Sequence, residues 1–535
     1  MLSRLLARLI VLSLMLWAVA SFASVTPYPP YPGALKSPAY EVTVDGQPVF
    51  VHRFSTFNQF QWMDYASFAI TGKVRVTVTG HVGDRDMVTC DVRPLAYGIK
   101  PLIKGNTASF ELDRPRYLVV FVNEPPNFQS HGLMLFAEPP ENNPPKLGAP
   151  TVVDIGDYKV DNTGKTVETA KINQAISDIS AKPGGGVLFF PAGAYKCGTI
   201  MMKSNVRLYV DAGAVIQGTR KSADYVAGPS GGRRAQVVFD KVENASITGR
   251  GAIDMEGYPW LWHDFQPDLG DGSARAGEGL REGLVNDPRN GIKGYTVTNC
   301  RNISFQGLLL LRTAHWTVTV TDTENFSSTN IKIVNRKQQF HDDAYDFAGN
   351  SKHILVQDGM AMTMDDVFAF YGGSKALIED VVVKGFVDYG YTSSMTIGYG
   401  SAPSIKGLRF EDVHYVSNQN RYALSIQITP AYFVGRGYFG SQLKNVVYDD
   451  FKFVNCTFEG DGGHVYFDGG DAPLTNFVFE NCTFYNKGSR PSMIMGTKVD
   501  PILFKNVKLN GAAVRNVDQL KQAGFTVSAP VKFGP

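Results

Sequence analysis

Two short stretches of the sequence, 341–347 and 365–370, carry clustered aspartates. At an offset of 23 residues Asp343 falls over Asp366, and Asp365 directly precedes Asp366. Carboxylates gathered this closely repel one another, and the repulsion raises the pKa of at least one of them. A protonated carboxylic acid beside an ionised carboxylate is the pair that glycoside hydrolysis needs, because one protonates the leaving oxygen and the other activates water. The spacing therefore predicts a hydrolytic site at Asp343, Asp365 and Asp366.

Two further aspartates in the first stretch are open to other interpretations. Asp342 taken alone is better explained as a solvated acidic turn or a calcium ligand. Asp346 lies 19 residues before Asp365, so a register slip of three residues would put it in the place of Asp343. With Asp343 in register, Asp346 is a candidate substrate-binding residue. His341 is a second candidate, although a lone histidine is more often a structural hydrogen-bonding group.

The elements that must position these residues are short strands that recur every 20–27 residues after residue 150. The clearest repeat places Asn455-Cys456 over Asn481-Cys482 at an offset of 26, and the asparagines are expected to turn the chain. Such a repeat is typical of a solenoid, whose coils share one continuous core because none can bury its apolar face alone. We therefore predict an all-β fold, a right-handed parallel β-helix. An offset of 23 would then stack aspartates of adjacent coils about 4.8 Å apart.

The chain upstream of the coils has a different pattern. Strand-like stretches such as 74–79 and 117–122, separated by turns, predict an N-terminal antiparallel β-sandwich over roughly 38–138. Apolar residues at helical spacing predict helices over 169–182, where one would cap the first coil, and near 517–523. The predicted domains are 1–23, a signal peptide; 24–145, the sandwich with a proline-rich linker at 139–145; and 146–535, the β-helix. The β-helix is expected to fold without the sandwich.

The first 23 residues are typical of a secretory signal peptide. Arg4 and Arg8 precede an apolar run, and residues 21–23 offer small side chains at the cleavage position. Without this segment 50 of the 52 basic residues remain against 50 acidic ones, so no charge excess indicates a nucleic-acid or membrane partner. The five widely spaced cysteines include no C-x-x-C motif and predict neither a disulfide scaffold nor a metal site. We expect a secreted protein, extracellular or periplasmic, that acts on a polysaccharide without a cofactor.

The chain resembles glycoside hydrolase family 28, the polygalacturonases and related pectinases, over roughly residues 150–485. Its stretches that are similar to the family's first coils are 184–195, 203–214 and 242–254. His341-Asp342-Asp343 stands where the family has Asn-Thr-Asp, and Asp365-Asp366 stands where it has Asp-Asp. The resemblance implies that Asp365 is the general acid and that Asp343 and Asp366 hold and deprotonate a water, with inversion at the anomeric carbon.

Two motifs of that family are absent. Its Gly-His-Gly should fall near 392–398, which contains no histidine, and its Arg-Ile-Lys, which holds a uronate carboxylate, should fall near 425–427, where the sequence is Ser-Ile-Gln. A buried carboxylate on the substrate needs a charged partner. Arg421, a candidate substrate-binding residue, could supply it, as could Lys384 or Arg436. The missing pair predicts a substrate that depends less on a carboxylate than polygalacturonate does.

A second and weaker resemblance is to family 49, the dextranases and isopullulanases. That family is similar in its β-helix, its three aspartates and its N-terminal sandwich, and the stretches 365–371 and 397–400 are loosely similar to its sequences. The resemblance implies a neutral α-glucan as an alternative substrate. Tyr399, in the second stretch, is a candidate for stacking on a sugar face, as are Trp316 and Tyr391.

Two other functions are compatible with the same fold. In a polysaccharide lyase the aspartates would hold calcium, and a basic residue such as Arg289 or Lys337 would take the proton. A non-catalytic carbohydrate-binding solenoid would need neither, because a fold does not determine a function. Unsaturated, ultraviolet-absorbing products would indicate the lyase, and the absence of reducing-sugar release would indicate the binding protein.

Overall fold

The computed structural model describes residues 23–55, 62–81, 86–219, 221–255, 292–335, 341–373, 375–397, 403–417, 422–426, 445–468, 472–496 and 498–534. All of the predicted signal segment except Ala23 lies outside these ranges. The described strands form a β-sandwich followed by a long parallel β-helix, as predicted. No described helix is long and apolar enough to cross a membrane.

The N-terminal domain is a sandwich of two sheets. Its strands are β1 (Ser24–Pro27), β2 (Leu35–Lys36), β3 (Tyr40–Val44), β4 (Gln47–Val49), β5 (Val51–Ser55), β6 (Trp62–Thr71), β7 (Val74–Gly80), β8 (Cys90–Arg93), β9 (Leu102–Lys104), β10 (Thr107–Leu112), β11 (Arg116–Val122) and β12 (Leu133–Glu138). One sheet has the order β2-β5-β6-β12-β11-β8 with β1 on β6, and the other has the order β4-β3-β7-β10-β9. The predicted strands at 74–79 and 117–122 are β7 and β11. One pair departs from the antiparallel prediction: β12 runs parallel to β6, because the chain crosses to the other sheet between them.

The β-helix has three faces. The first face contains β13 (Val152–Asp154), β15 (Gly186–Phe190), β18 (Val206–Val210), β22 (Glu243–Gly249), β25 (Arg301–Gln306), β28 (Glu324–Thr329), β31 (Lys352–Gln357), β34 (Leu377–Asp388), β36 (Ser404–Tyr415), β38 (Tyr448–Val454), β41 (Leu474–Thr475), β42 (Val478–Glu480), β45 (Ile502–Lys505) and β49 (Val531–Gly534). The second face contains the ends of β34 and β36 together with β14 (Thr163–Val167), β16 (Gly193–Lys196), β19 (Ala214–Gln217), β23 (Ala252–Asp254), β26 (Leu309–Leu311), β29 (Lys332–Val334), β32 (Met360–Met362), β39 (Thr457–Phe458), β43 (Thr483–Phe484), β46 (Lys508–Leu509) and β47 (Ala512–Ala513). These two faces are hydrogen-bonded into one 25-stranded sheet.

The third face is a separate 12-stranded sheet, and it carries the clustered aspartates. Its strands are β17 (Ile200–Met201), β20 (Val226–Gly228), β21 (Gly231–Asp240), β24 (Lys293–Thr298), β27 (Val318–Thr321), β30 (Tyr345–Ala348), β33 (Phe368–Tyr371), β35 (Met395–Ile397), β37 (Tyr422–Ile426), β40 (Gly463–Asp468), β44 (Ser492–Met495) and β48 (Phe525–Val527). Tyr345 pairs with Phe368 and Phe347 with Phe370, so the predicted 23-residue offset is confirmed. The aspartates before these strands therefore lie in adjacent coils.

Asparagine ladders turn the coils. Asn455 and Asn481 both have φ of +55°, a left-handed conformation that asparagine tolerates better than most residues. The Asn481 amide donates to the Asn455 side-chain oxygen at 3.2 Å, and Asn506 donates to Asn481 at 2.8 Å. The predicted role of the Asn-Cys repeats is confirmed. All five cysteines are free, as expected of a chain without a disulfide scaffold, and four of them are buried.

Helices lie at both ends of the core. α1 (Thr169–Ser180) buries Ile172, Ala175, Ile176 and Ile179 against the first coils, as its spacing predicts. Near the C-terminus, α2 (Val517–Gln522) begins after Asn516, whose side chain accepts from the Gln519 N–H at 2.9 Å. The described part of the chain also contains short 3₁₀ turns at Leu95–Tyr97, Ile155–Tyr158 and Ser222–Asp224.

An apolar interface joins the sandwich to the second face of the β-helix. The sandwich contributes outward-facing residues of β5, β6, β11 and β12, and the β-helix contributes residues that alternate with its core: Ala194, Val215, Ala252, Leu309, Leu311, Val334, Met360, Met362 and Val387. All of these side chains are buried in one cluster. The domain boundary at 139–145 stays a prediction, but the β-helix alone would expose this surface.

A buried ion triad fixes the same interface. Glu138, the last residue of β12, contacts Lys332 of β29 at 2.7 Å and Arg250 at 3.3 Å, and all three side chains are at most 4% exposed. Lys332 also donates to the Gly307 carbonyl at 2.6 Å. Burial lowers the pKa of Lys332 to about 8, which the neighbouring Glu138 carboxylate opposes.

We expect Glu138→Gln to destabilise the protein strongly. Removing one partner of a buried pair leaves uncompensated charge and typically costs about 3–5 kcal/mol. Urea unfolding followed by tryptophan fluorescence would measure the loss. Glu111→Gln is the matched control, because Glu111 pairs with Lys73 at 2.6 Å but is half exposed, and such surface pairs contribute little. Equal midpoints for Glu138→Gln and wild type would show that the triad does not hold the domains together.

Candidate active site

Four residues of successive coils form a row along the third face. Each lies two residues before the first core residue of its strand; they are Lys293, Trp316, Asp343 and Asp366. Backbone hydrogen bonds next to the row set the stacking. The Gly294 N–H donates to the backbone carbonyl of Trp316 at 3.0 Å, the Thr317 N–H to that of Asp343 at 2.7 Å and the Ala344 N–H to that of Asp366 at 3.0 Å. We call these four residues the active-site row. The β-helix thus places Asp343 and Asp366 side by side.

Asp342 shapes the turn that carries the aspartate pair of the next coil. It is fully buried, and its Oδ1 accepts the backbone N–H groups of Met364 at 3.0 Å and Asp365 at 2.9 Å. Its own carbonyl accepts from the Asn335 side chain at 2.9 Å. These contacts show that Asp342 positions the main chain at Asp365. Asp342 is therefore not the solvated acidic residue or calcium ligand that the sequence suggested.

Asp365 is more exposed than the other carboxylates of the cluster. It is half-buried, whereas Asp343 and Asp366 are buried. Its Oδ2 accepts the His341 backbone N–H at 2.9 Å. His341 has φ of +67°, and its ring stacks parallel to His315 with centroids 5.6 Å apart. The main chain of His341, rather than its imidazole, therefore orients the Asp365 carboxylate.

Asp346 adds a fourth carboxyl to the same surface. Tyr345 and Phe347 lie in the core, so Asp346 between them points to the outside of β30, on the side of Asp343. Asp346 is nevertheless fully buried, and neither of its carboxyl oxygens has a hydrogen-bond partner of suitable geometry among the described residues. Burial raises the pKa of Asp346 well above its ordinary value, while the Lys293 ammonium acts to lower it.

Burial also raises the pKa of Asp343, and the carboxylates of Asp346, Asp365 and Asp366 raise it further. Asp343 and Asp346 interact with each other, so the proton that they retain belongs to the pair and not to either residue alone. A carboxyl pair that retains a proton beside further carboxyl groups suits general acid–base chemistry on a glycosidic bond. No three His, Cys, Asp or Glu side chains of the described residues are arranged to hold a metal ion.

Residues 186–422, from β15 to the start of β37, match the family model described as glycosyl hydrolases family 28. The chain is a glycoside hydrolase. The match spans the coils that carry the active-site row, so the predicted resemblance to family 28 is confirmed.

The relatives of this hydrolase are remote. The exo-poly-alpha-D-galacturonosidase of Dickeya chrysanthemi is 24% identical over 450 residues, which cover 72% of this chain and 73% of that protein. The iota-carrageenase of Zobellia galactanivorans is 34% identical over 110 residues, which cover only 19% of this chain and 21% of that protein. The structure of Dex49A from Penicillium minioluteum matches with a TM-score of 0.57 at 14% identity and covers 95% of this chain and 96% of that chain. This last similarity shows that the fold extends over both domains.

The hydrolase brings together five of the seven residues proposed for the site. Asp343, Asp365, Asp366, Asp346 and His341 lie in one cluster. Tyr399 and Arg421 lie outside the described residues.

Several other predicted residues have different surroundings. Tyr391 packs against Phe128 of the sandwich, with ring centroids 5.2 Å apart, so it belongs to the domain junction. Lys384 lies exposed near the end of the first-face part of β34, away from the third face. Arg289, Lys337 and Arg436 are outside the described residues.

Two basic residues at the site were not predicted. Lys293 begins the active-site row, and Arg233 of β21 lies beside His315, with Nη1 2.7 Å from the His315 Nε2. Both cations face the Trp316 ring, at 4.2 Å for Lys293 and 5.5 Å for Arg233. Lys293 could have been found from the sequence, because Tyr295 precedes Val318 by the same 23 residues that separate Tyr345 from Phe368.

The hydrolase should be more stable at neutral pH when Asp343 is replaced with asparagine. The unfolded chain releases the Asp343 proton near a pKa of about 3.9, whereas the folded protein retains a proton on the pair of Asp343 and Asp346 to higher pH. The native state therefore loses stability as the pH rises through this interval, and asparagine removes that loss. We therefore expect the stability gain of Asp343→Asn to appear above a pH of about 4 and to grow as the pH rises toward the folded-state pKa.

Urea midpoints of wild type and Asp343→Asn at pH 7 and pH 3 test this expectation. The difference should vanish at pH 3, where Asp343 is protonated in both states. A less stable variant at pH 7, or a difference of the same size at both pH values, would contradict it.

Proposed function

We propose that this hydrolase cleaves the glycosidic bonds of a pectin-type polysaccharide with inversion at the anomeric carbon. The observation that carries the proposal is the adjacent pair of Asp343 and Asp366 in the active-site row, with the more exposed Asp365 directly before Asp366 and held by the His341 N–H. An inverting enzyme needs its acid and base about 6.5–9.5 Å apart, with a water between the base and the sugar. The family 28 match supports the pectin-type substrate.

In the proposed mechanism Asp365 donates a proton to the leaving oxygen. Its carboxyl is partly exposed to solvent, so a glycosidic oxygen can reach it. Asp343 and Asp366 hold one water between them and remove its proton as it attacks the opposite face of the sugar. The hydroxide adds to the anomeric carbon, the leaving sugar departs with the Asp365 proton, and the configuration inverts.

A second substrate class is a neutral α-glucan. The similarity to Dex49A extends over the sandwich as well as the coils, and the position of the family 28 Arg-Ile-Lys is occupied by Ser425-Ile426-Gln427. The two classes differ in charge, so one substrate panel separates them.

The test is reducing-sugar release from polygalacturonate, esterified pectin, a sulfated galactan, dextran and pullulan by the purified protein. We expect new reducing ends from polygalacturonate, without ultraviolet absorption. Release from dextran or pullulan alone would favour the neutral substrate. Ultraviolet-absorbing ends that disappear with a chelator would indicate a lyase, and no release from any polymer would indicate a binding protein.

Secretion belongs to the same proposal, because a polymer of this size is degraded outside the cytoplasm. The apolar leader with Arg4 and Arg8 supports it. Expression in a secreting bacterial host should give a mature protein that begins near Ser24, as N-terminal sequencing would show. A protein retained with Met1 intact would contradict it.

A further inference from the structure

The Lys293 ammonium is buried at the active-site row, and no described residue forms a hydrogen bond or ion pair with it. Lys293 is 6% exposed, and its Nζ lies 4.2 Å from the centroid of the Trp316 ring. The structure gives it no ion pair and no side-chain hydrogen bond among the described residues. An ammonium withdrawn from water without an acceptor is costly, and the pKa of Lys293 falls to about 7 as a result of burial. An anionic group that contacted Nζ would offset this cost.

Arg233 supplies a second cation next to the first. Its guanidinium is half-buried, contacts His315 at 2.7 Å and forms no ion pair with a described residue. Burial lowers the pKa of His315 well below its ordinary value, and Arg233 lowers it further. This histidine is therefore neutral, and it leaves the positive charge of Arg233 uncompensated. Arg233 therefore keeps donors available for a planar or tetrahedral anion, which guanidinium groups bind through paired hydrogen bonds.

The order of the row relates these cations to the scissile bond. Trp316 lies between Lys293 and Asp343, one coil from each. A sugar ring that packs on the Trp316 indole would have the catalytic carboxylates at one end and Lys293 with Arg233 at the other. Lys293 and Asp343 lie two coils apart, about 10 Å at the usual strand spacing, and both Asp343 and Asp346 are electrostatic neighbours of Lys293.

We propose that Lys293 and Arg233 form the subsite that recognises an anionic substituent, a carboxylate or a sulfate ester, on the sugar unit bound over Trp316. The inference rests on the proposed hydrolysis at Asp343, Asp365 and Asp366 and adds the specificity determinant of that site. It assigns to Lys293 and Arg233 the charge recognition that the sequence Ser425-Ile426-Gln427 cannot provide. It also reverses the expectation of a substrate with little dependence on charge.

The test measures binding rather than turnover, so that it does not depend on hydrolysis. Isothermal titration with full-length Asp365→Asn protein would compare three tetrasaccharides: oligogalacturonate, its carboxyl-reduced neutral counterpart and a sulfated galactan. Lys293→Met and Arg233→Gln, each in the Asp365→Asn background, remove one cation, and Lys384→Met removes an exposed lysine elsewhere. Circular dichroism would confirm that each variant is folded.

We expect Lys293→Met and Arg233→Gln each to weaken binding of one anionic tetrasaccharide about 10–100-fold, the range for a lost hydrogen bond to a charged group. Binding of the neutral counterpart and of the Lys384→Met variant should not change. The anionic ligand that loses affinity identifies the substituent as a carboxylate or a sulfate. If Lys293→Met does not fold, Arg233→Gln alone decides, because its side chain is only half-buried.

The proposal is overturned if neither anionic tetrasaccharide binds, or if folded variants bind them as well as the parent does. Loss of affinity for the neutral counterpart by the same factor would also overturn it, because the cations would then act only on the shape of the groove. If the variants behave as expected and wild type hydrolyses none of the polymers, the anion subsite stands and the proposed function fails. If wild type hydrolyses polygalacturonate and the variants bind the anionic tetrasaccharides normally, the proposed function stands and the anion subsite fails.

Discussion

Asp343→Asn, Asp365→Asn and Asp366→Asn should each lower kcat at least 10²-fold and leave the fold intact. Loss of a general acid or base typically costs about 10²–10⁴ in rate, and asparagine keeps the shape of the side chain while removing its proton chemistry. Each variant removes one of the three carboxylates that the row and the adjacent turn bring together. Initial rates of reducing-sugar release, with circular dichroism as the fold check, measure the effect.

Two other substitutions are the controls for this expectation. Asp380→Asn changes an exposed aspartate on the first face, whose described ion pair is with His353, and should leave kcat unchanged. Asp342→Asn should stay within about tenfold of wild type, because a single amide oxygen can replace the Oδ1 that accepts both backbone N–H groups. Asp342→Ala removes that acceptor and should cost more through misplacement of Asp365.

Asp346→Asn distinguishes two registers of the mechanism. If Asp346 only neighbours the catalytic pair, its loss should affect KM more than kcat, because it lies beside Lys293 at the substrate-binding end. An inactive Asp346→Asn together with an active Asp343→Asn would transfer the base to Asp346. Full activity in all of the active-site variants would show that the reaction occurs elsewhere.

Removal of the sandwich should abolish soluble, folded protein. A fragment of residues 146–535 would expose the apolar second face, including Leu309, Leu311, Met360 and Met362, which are buried against the sandwich. Each such side chain loses roughly 1.5–3 kcal/mol of burial, and Lys332 would lose Glu138 as well. Exposed apolar patches of this kind lead to aggregation.

Expression of the fragment with and without co-expressed residues 24–145 tests this dependence. We expect insoluble β-helix alone and recovery of soluble protein when the sandwich is supplied. A soluble, monomeric fragment with the urea midpoint of the whole chain would show that the two domains are independent, as the proline-rich linker first indicated.

The sequence predicts the stacking of Asp343 on Asp366 because both lie just before β-strands of equal spacing, and a regular coil preserves that offset. Lys293 is harder to predict because the interval from Val318 to Tyr345 is 27 residues instead of 23. This longer interval interrupts the sequence alignment that would place Lys293, Trp316 and Asp343 in one row. Asp342 and Asp343 cannot be told apart in the sequence, since only the turn geometry shows which carboxylate contacts the main chain.

The domain interface is hidden for a related reason. Leu309 and Leu311 alternate with Leu310, which is in the β-helix core, so all three have the composition of a strand that is buried on both sides. This apolar pattern indicates that the outer side of the second face is buried, but it does not identify the part of the chain that covers it. Only the folded chain places β11 and β12 over it.

The anomeric configuration of the first product is the most direct test of the proposed mechanism. Proton NMR recorded during early turnover of an α-linked oligogalacturonate, before mutarotation, would show the new reducing end. Asp365 as acid with a water held by Asp343 and Asp366 predicts the β-anomer first. The α-anomer first would mean retention through a covalent intermediate, and would contradict the assignment of Asp343 and Asp366 as the pair that activates water.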